Sequence, residues 1–313
     1  MIGKDLIKMT SEELVEALIK DNSLASDFDH LNLWGKFYSE NWSHLLSSQP
    51  QFADKCTKYK CWEKFNSLHW SDLLFAQPQF ANKCTEYKGW EKFNSSDWLE
   101  LLSVHPQFAD KCTEYNVWKE FNSYNWCDLL SAQPRFADKC TEYKGWGKFY
   151  SLNWRNLFSS QPQFADKCTE YKGWEKFYSG DWSYLLKAQP QFADKCTEYK
   201  GWEEFDFDDW CELLKAHPQF ANKRNWSEMR ANNYDEYDED EYDDFEYWKE
   251  ACGVDYSEDW KKLLLKQPQL AEYFTAVLWD GFSQEQWNEL EAKHPGVFED
   301  KHMLSTLRKI AKD

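Results

Sequence analysis

The sequence predicts an all-α fold, an α-solenoid of about ten two-helix repeats of 27–28 residues. The first observation behind this is a tryptophan register: Trp42, Trp70, Trp98, Trp126, Trp154, Trp182 and Trp210 recur every 28 residues. A prolyl register, Pro50, Pro78, Pro106, Pro134, Pro162, Pro190 and Pro218, follows eight residues behind it. A second tryptophan register, Trp34, Trp62, Trp90, Trp118, Trp146, Trp174 and Trp202, keeps the same step. Self-similarity at a fixed short period marks repeat architectures, in which each unit buries its apolar face against its neighbours.

Within one repeat, Trp98, Leu101, Leu102 and Val104 are spaced as on a helix, and Ser95 stands where an N-cap is expected. Pro106 ends that helix and suits the first turn of the next, because it lacks an amide donor and presets a helical φ. Phe108, Ala109, Cys112 and Tyr115 give the second helix one apolar face. In the preceding repeat Lys88-Gly89 marks the helix end, and Trp90 and Phe93 sit on a following turn. Helices of about ten residues do not persist alone, so stacking is what stabilises them.

The period runs beyond the obvious copies. In residues 1–33, read as a capping repeat, Leu14 takes the place of the Trp, Leu18 that of the Leu pair and Phe28 that of the Cys. Residues 34–223 hold the regular repeats, and 224–248 an acidic, Tyr-rich insertion. Residues 249–313 carry degenerate repeats and a C-terminal cap, in which Trp260 and Pro268, then Trp287 and Pro295, keep the offset of eight at a 27-residue step.

Hydrophobic residues make up 42% of the 313 and aromatics 19%, so the chain has a core to bury despite a mean hydropathy of -0.86. Its formal charge of -18 argues against a nucleic-acid backbone or an anionic membrane as partner and favours a protein with a basic or mixed surface. No apolar stretch approaches a membrane span and no secretory h-region is present, so a cytoplasmic location with reduced thiols is expected.

The stretch QPQFADKCTEYKGW, from Gln161 to Trp174, brings Asp166, Lys167 and Cys168 together and recurs along the chain. Nucleophilic catalysis would need a base beside the thiol, and none recurs with it. A structural metal would need paired ligands, whereas each repeat offers one Cys at this place: Cys56, Cys84, Cys112, Cys140, Cys168 and Cys196. Equivalent cysteines in stacked repeats are too far apart for a disulfide, while Cys56 and Cys61 are close enough in sequence to meet locally. These cysteines are therefore read as small core residues, Asp166 and Lys167 as surface, and the tryptophans as core. No enzyme signature, metal site or cofactor is expected.

Function is then sought where repeats differ. With the first-register Trp as reference, the variable places are the two residues before it and those one, two and five after it. The candidate partner-binding edge comprises His44, Asp72, Phe75, Leu99, Glu100, Asp128, Arg155, Asn156, Tyr184, Lys187, Glu212 and Lys215, all placed on the exposed side of the first helix. A candidate acidic docking segment interrupts the array: Tyr234, Asp235, Glu236, Tyr237, Asp238, Glu239, Asp240, Glu241, Tyr242, Asp243, Asp244, Phe245 and Glu246. Like charges at that density fit either a passive solvated insertion or a segment that docks on a basic, partly apolar partner.

The expected function is a non-enzymatic protein-binding repeat scaffold using this edge and the acidic segment. One alternative is an acidic inhibitor or nucleic-acid mimic acting on a basic nuclease or defence protein. Another is a ligand-binding array whose Trp ladder stacks sugars or nucleobases. The unit W-x-x-L-L-x-x-Q-P-Q-F-A-D-K-C resembles tandem repeats of uncharacterised bacterial proteins over most of residues 34–223. Those repeats have a shorter spacer after the Cys than TEYKGWEKF. The resemblance implies a bacterial origin and no particular activity.

Overall fold

The computed structural model describes residues 5–223, 256–273, 279 and 282–312. Among them there is no strand, and the helices recur with the spacing of the sequence repeat, as an all-α tandem-repeat solenoid requires. The chain forms two compact units, Met1–Tyr171 and Lys172–Asp313. In the first, the ten-residue helices are α1 (Ser11–Lys20), α2 (Ser39–Ser48), α3 (Ser67–Ala76), α4 (Ser95–Val104), α5 (Ser123–Ala132) and α6 (Ser151–Ser160). The second holds α7 (Ser179–Ala188), α8 (Phe207–Ala216), α9 (Tyr256–Lys266), α10 (Gln284–Lys293) and α11 (Glu299–Lys312). Within each unit, successive long helices from α1 to α6 and from α7 to α10 pack side by side.

Between long helices the chain follows one grammar. Pro106–Phe108 forms a 3-10 turn, Ala109–Glu114 a six-residue helix, and Val117–Glu120 a second 3-10 turn. The helical start differs by one residue from the sequence expectation. Asn94, not Ser95, is the cap: its Oδ1 accepts from Ser96 N and Asp97 N at 2.8 and 3.1 Å, while Asp97 Oδ2 accepts from Asn94 N at 2.9 Å. This reciprocal box satisfies donors that the first turn leaves without partners. Asn122 with Asn125 and Asn66 with His69 repeat it.

The second helix ends in a left-handed residue, and that residue is not the glycine. Asn32, Lys60, Lys88, Asn116, Lys144, Lys172 and Lys200, each 28 apart, have φ of 52–58°, whereas Gly145 has φ -63°. The glycine is needed for close approach instead. A Cβ on Gly89 would stand 2.6 Å from Cys84 Sγ and 2.8 Å from the Trp70 ring.

The core is a ladder of paired indoles. Trp90 stacks on Trp98 at 5.2 Å between centroids, Phe93 meets Trp98 edge-on at 5.4 Å, and Phe108 closes on Trp90 at 5.4 Å. Each buried indole removes roughly 150–250 Å² from water, on the order of 5 kcal/mol before conformational entropy is counted. The second-register indole is also hydrogen-bonded: Trp90 Nε1 donates to Thr85 Oγ1 at 2.9 Å, and that hydroxyl donates to Ala81 O at 3.1 Å. The invariant Thr-to-Trp offset of five in CTEYKGW thus has a physical cause. In the first repeat Leu14, Leu18 and Phe28 are fully buried, as the register predicts. Near the C-terminus Trp279 stacks on Trp287 at 5.4 Å, restoring the eight-residue pairing.

Candidate binding edge and groove

The side chains two places after the first-register tryptophan emerge on the outer side of the long helices, and the fifth place is exposed at Phe75, Lys187 and Lys215 but half-buried at Ser47, Ser103, Ser131 and Ser159. His44, Asp72, Phe75, Glu100, Asp128 and Asn156 are exposed on α2–α6, as are Tyr184, Lys187, Glu212 and Lys215 on α7 and α8. Two predicted edge residues are placed differently. Leu99 and Arg155, one place after the Trp, are half-buried, and their equivalents Ser43, Ser71, Cys127 and Ser183 are buried. That position faces the next long helix: Ser43 Oγ donates to His69 O at 2.9 Å, Cys127 Sγ to Asn153 O at 3.3 Å, and Ser183 Oγ to Asp209 Oδ1 at 2.7 Å. The place just before the Trp is not free either. Asn41, His69, Asp97, Asn125 and Asn153 supply the acceptor that closes each capping box. Variation there is confined to residues able to accept a hydrogen bond, so capping selects it.

The first unit carries a groove of about 730 Å³ across α1, α2 and α3. Its lining follows the repeat register. Glu12, Glu40 and Leu68 occupy the place two before the reference residue, Glu16, His44 and Asp72 the place two after, and Ser47 and Phe75 the place five after. Four carboxylates face the groove and no Lys or Arg lines it. Phe75 and Leu68 are 50% and 60% exposed, and the Phe75 ring meets the His105 ring edge-on at 6.2 Å. Partial burial, with Asp97 adding repulsion, holds the Asp72 carboxyl above the usual carboxylate range, and burial pushes the His69 imidazole down. His44 Nδ1 lies 3.9 Å from Glu16.

Glu12, Glu16, Glu40 and Leu68 were not among the expected edge residues. Carrying the register of 28 back into the capping repeat finds Glu12 and Glu16, since Glu40 and His44 lie one period later.

In the second unit the predicted Lys187, Glu212 and Lys215 converge. Glu212 accepts from Lys187 at 3.0 Å and from Lys215 at 2.8 Å, and the two ammonium groups hold its carboxyl below the usual range. Tyr184, three residues before Lys187 on α7, is 49% exposed. Residues Tyr234 to Glu246, the candidate acidic docking segment, lie outside the described residues.

The remaining candidate chemistry resolves into scaffold. Cys56, Cys84, Cys112, Cys140, Cys168 and Cys196 are fully buried, and burial pushes the Cys112 thiol far above its ordinary range. Lys167 pairs with Glu170 at 2.8 Å on the surface of the second helix. Every described Trp is buried, the most accessible being Trp202 at 7%, so these rings present no face to a base or sugar. Among the described residues no three His, Cys, Asp or Glu side chains converge as metal ligands would, and no helix is long and apolar enough to cross a membrane.

Fold and edge together define a class, the all-α tandem-repeat solenoid with an indole-rich core. Comparison with protein-family models, with curated proteins and with solved structures finds no match to this chain.

Proposed function

We propose that this protein is a non-enzymatic, cytoplasmic binding scaffold that receives a basic protein segment on its long-helix edge, centred on the groove across α1, α2 and α3. The observation that carries this reading is the composition of that groove: four carboxylates without a balancing Lys or Arg, beside the exposed apolar side chains of Phe75 and Leu68. Carboxylates steer a cation and give it register, while an apolar side chain on Phe75 supplies desolvated contact. A segment with Lys or Arg flanking a large aliphatic residue matches both.

The test uses fluorescein-labelled peptides followed by anisotropy: one alternating Lys and Leu at helical spacing, one with Lys replaced by Glu, and one with Leu replaced by Ser. The cationic amphipathic peptide should bind and the other two should not. Asp72→Lys and Phe75→Ala should each weaken binding at least tenfold, with unchanged circular dichroism. Equal binding to all three peptides, or binding indifferent to both substitutions, would remove the groove from the proposal.

A further inference from the structure

The groove across α1, α2 and α3 differs at its two ends. Over α1 its wall carries Glu12 and Glu16, and over α2 Glu40, all exposed. Over α3 the wall turns apolar. The place that holds Glu12 and Glu40 in the two earlier repeats holds Leu68, and Phe75 occupies the fifth place, which is serine on α2, α4, α5 and α6. Leu68 and Phe75 are well exposed, and Asp72 is the one carboxylate that α3 adds to the lining. On the neighbouring α4, Val104 is exposed and precedes His105, whose ring meets Phe75 edge-on. Negative charge thus falls, and apolar surface rises, from α1 to α3.

The two ends are also held apart by a fixed distance. Gln49 Nε2 donates to Ile19 O at 3.0 Å and ties the end of α2 to α1. Gln77 Nε2 donates to Ser47 O at 2.7 Å, and Ser43 Oγ to His69 O at 2.9 Å, so α3 is tied to α2 in the same way. Packed helices lie roughly 8–10 Å apart, which puts α3 about 16–20 Å from α1. Along the helix axis, Phe75 lies about 5 Å beyond the level of Glu16 and about 10 Å beyond that of Glu12, at 1.5 Å per residue. The carboxylates of α1 and the Phe75 ring are therefore separated by roughly 17–23 Å before any partner arrives.

We infer that the groove selects a polarised segment, one whose basic residues lie over α1 and α2 and whose single large apolar residue packs on Phe75, the two separated by the span of the groove. This rests on the groove being the binding site and adds its orientation and its measure. Charge complementarity fixes which end goes where, because Lys or Arg placed over α3 would give up two of the three carboxylates of the other end and cover apolar surface with a charge. The exposed Phe75 ring supplies the anchor, since a large side chain packed there loses water on both partners. An extended chain advances about 3.3 Å per residue, so six residues or so cover the distance. A partner with the same composition but with its basic and apolar residues adjacent can reach only one end at a time.

The test is fluorescence anisotropy with the intact chain and labelled polyproline rulers, each with two lysines at one end, one leucine at the other, and two, six or ten prolines between. At about 3.1 Å per residue these set the charges about 9, 22 and 34 Å from the leucine. The six-proline ruler should bind about fivefold or more tightly than either of the others. Glu12→Gln combined with Glu16→Gln should weaken it about fivefold, and replacing its lysines by glutamine should then cost much less than it does with the unchanged protein. Phe75→Ala should do the same for the leucine. Circular dichroism checks that these exposed substitutions leave the fold intact. Equal affinity for the three rulers, or a lysine contribution that disappears with Phe75→Ala and survives in the Glu12, Glu16 variant, would overturn the inference and leave the groove as a binding site. Absence of binding by all three rulers also overturns it. If the helical Lys-Leu peptide still binds, only the orientation and span fail, and if that peptide is not bound either, the groove itself is wrong.

Discussion

The imidazole Nε2 of His105 lies 2.7 Å from the carbonyl oxygen of Phe75, thirty residues earlier and at the C-terminal end of α3. Gln77, Gln133 and Gln161 place their side-chain Nε2 on the carbonyls of Ser47, Ser103 and Ser131 at 2.7, 2.7 and 2.8 Å. In the second unit His217 meets the Lys187 carbonyl at 3.0 Å. The residue before each proline thus bridges to the end of the preceding long helix, where carbonyls have no partner within their own helix. Gln and His interchange there because both present an N–H at the same reach. His105→Gln is expected to change stability by less than about 0.5 kcal/mol, and His105→Ala to cost about 0.5–1.5 kcal/mol, the net worth of one hydrogen bond at an exposed site. Urea denaturation of both variants checks this.

The threonine beneath each second-register indole makes a sharper case. Thr85→Val keeps shape but leaves Trp90 Nε1 and Ala81 O without this hydroxyl, and should cost about 1–3 kcal/mol. Trp90→Phe removes the donor, so in that background the same threonine substitution should cost less. A double-mutant cycle measures the difference, and strict additivity would deny the bond any energetic role.

Core tryptophan and core cysteine should separate clearly. Trp98, fully buried and stacked on Trp90, should cost roughly 3–5 kcal/mol on change to alanine. Cys112→Ser should cost at most about 3 kcal/mol, since a small group is exchanged and a hydroxyl is buried. Thermal melts of the two variants give the ranking, and equal small losses would contradict the core assignment.

Binding in the groove should depend on pH with a defined sign. Burial raises the Asp72 carboxyl in the free protein, with His69 on its own helix, Asp97 on α4 and the groove carboxylates Glu16 and Glu40 as its charged surroundings. A bound cation favours the ionised form and lowers that value again. Affinity for the Lys-Leu peptide is therefore full above the raised free-state range and falls as pH drops through it toward the lower bound-state range. It should also weaken between 50 mM and 500 mM salt. Asp72→Asn should bind less tightly at pH 7 and lose much of the acid sensitivity, as anisotropy titrations at pH 7 and pH 4.5 would show.

The fold was legible because period and spacing act locally. Indole and prolyl registers mark each long helix and its end, and a ten-residue helix with one apolar face can be stable only against a copy of itself. The same registers separate Trp98 and Cys112, which belong to the core, from Lys167 on the surface. Local sequence was less informative where two residue types can serve one role. Ser95 and Asn94 are both able to cap, and Asn94 does. Lys88-Gly89 marks a helix end without saying which residue turns left-handed: Lys88 does, while Gly89 sits where a side chain would strike Cys84 and Trp70.

The all-α tandem-repeat class and the burial of the Trp, Leu and Cys positions follow from the 28-residue pattern, because burial in a stack is dictated by what each repeat shares with its neighbours. The edge needed three dimensions. Leu99 and Arg155 share a helix with exposed residues, and only the packing of the next long helix makes their position half-buried. The groove likewise arises from lateral placement of α1, α2 and α3, which brings Glu12, Glu40 and Leu68 beside His44 and Phe75 across 28-residue separations. Distances of that kind are set by how helices pack and not by any one stretch of chain.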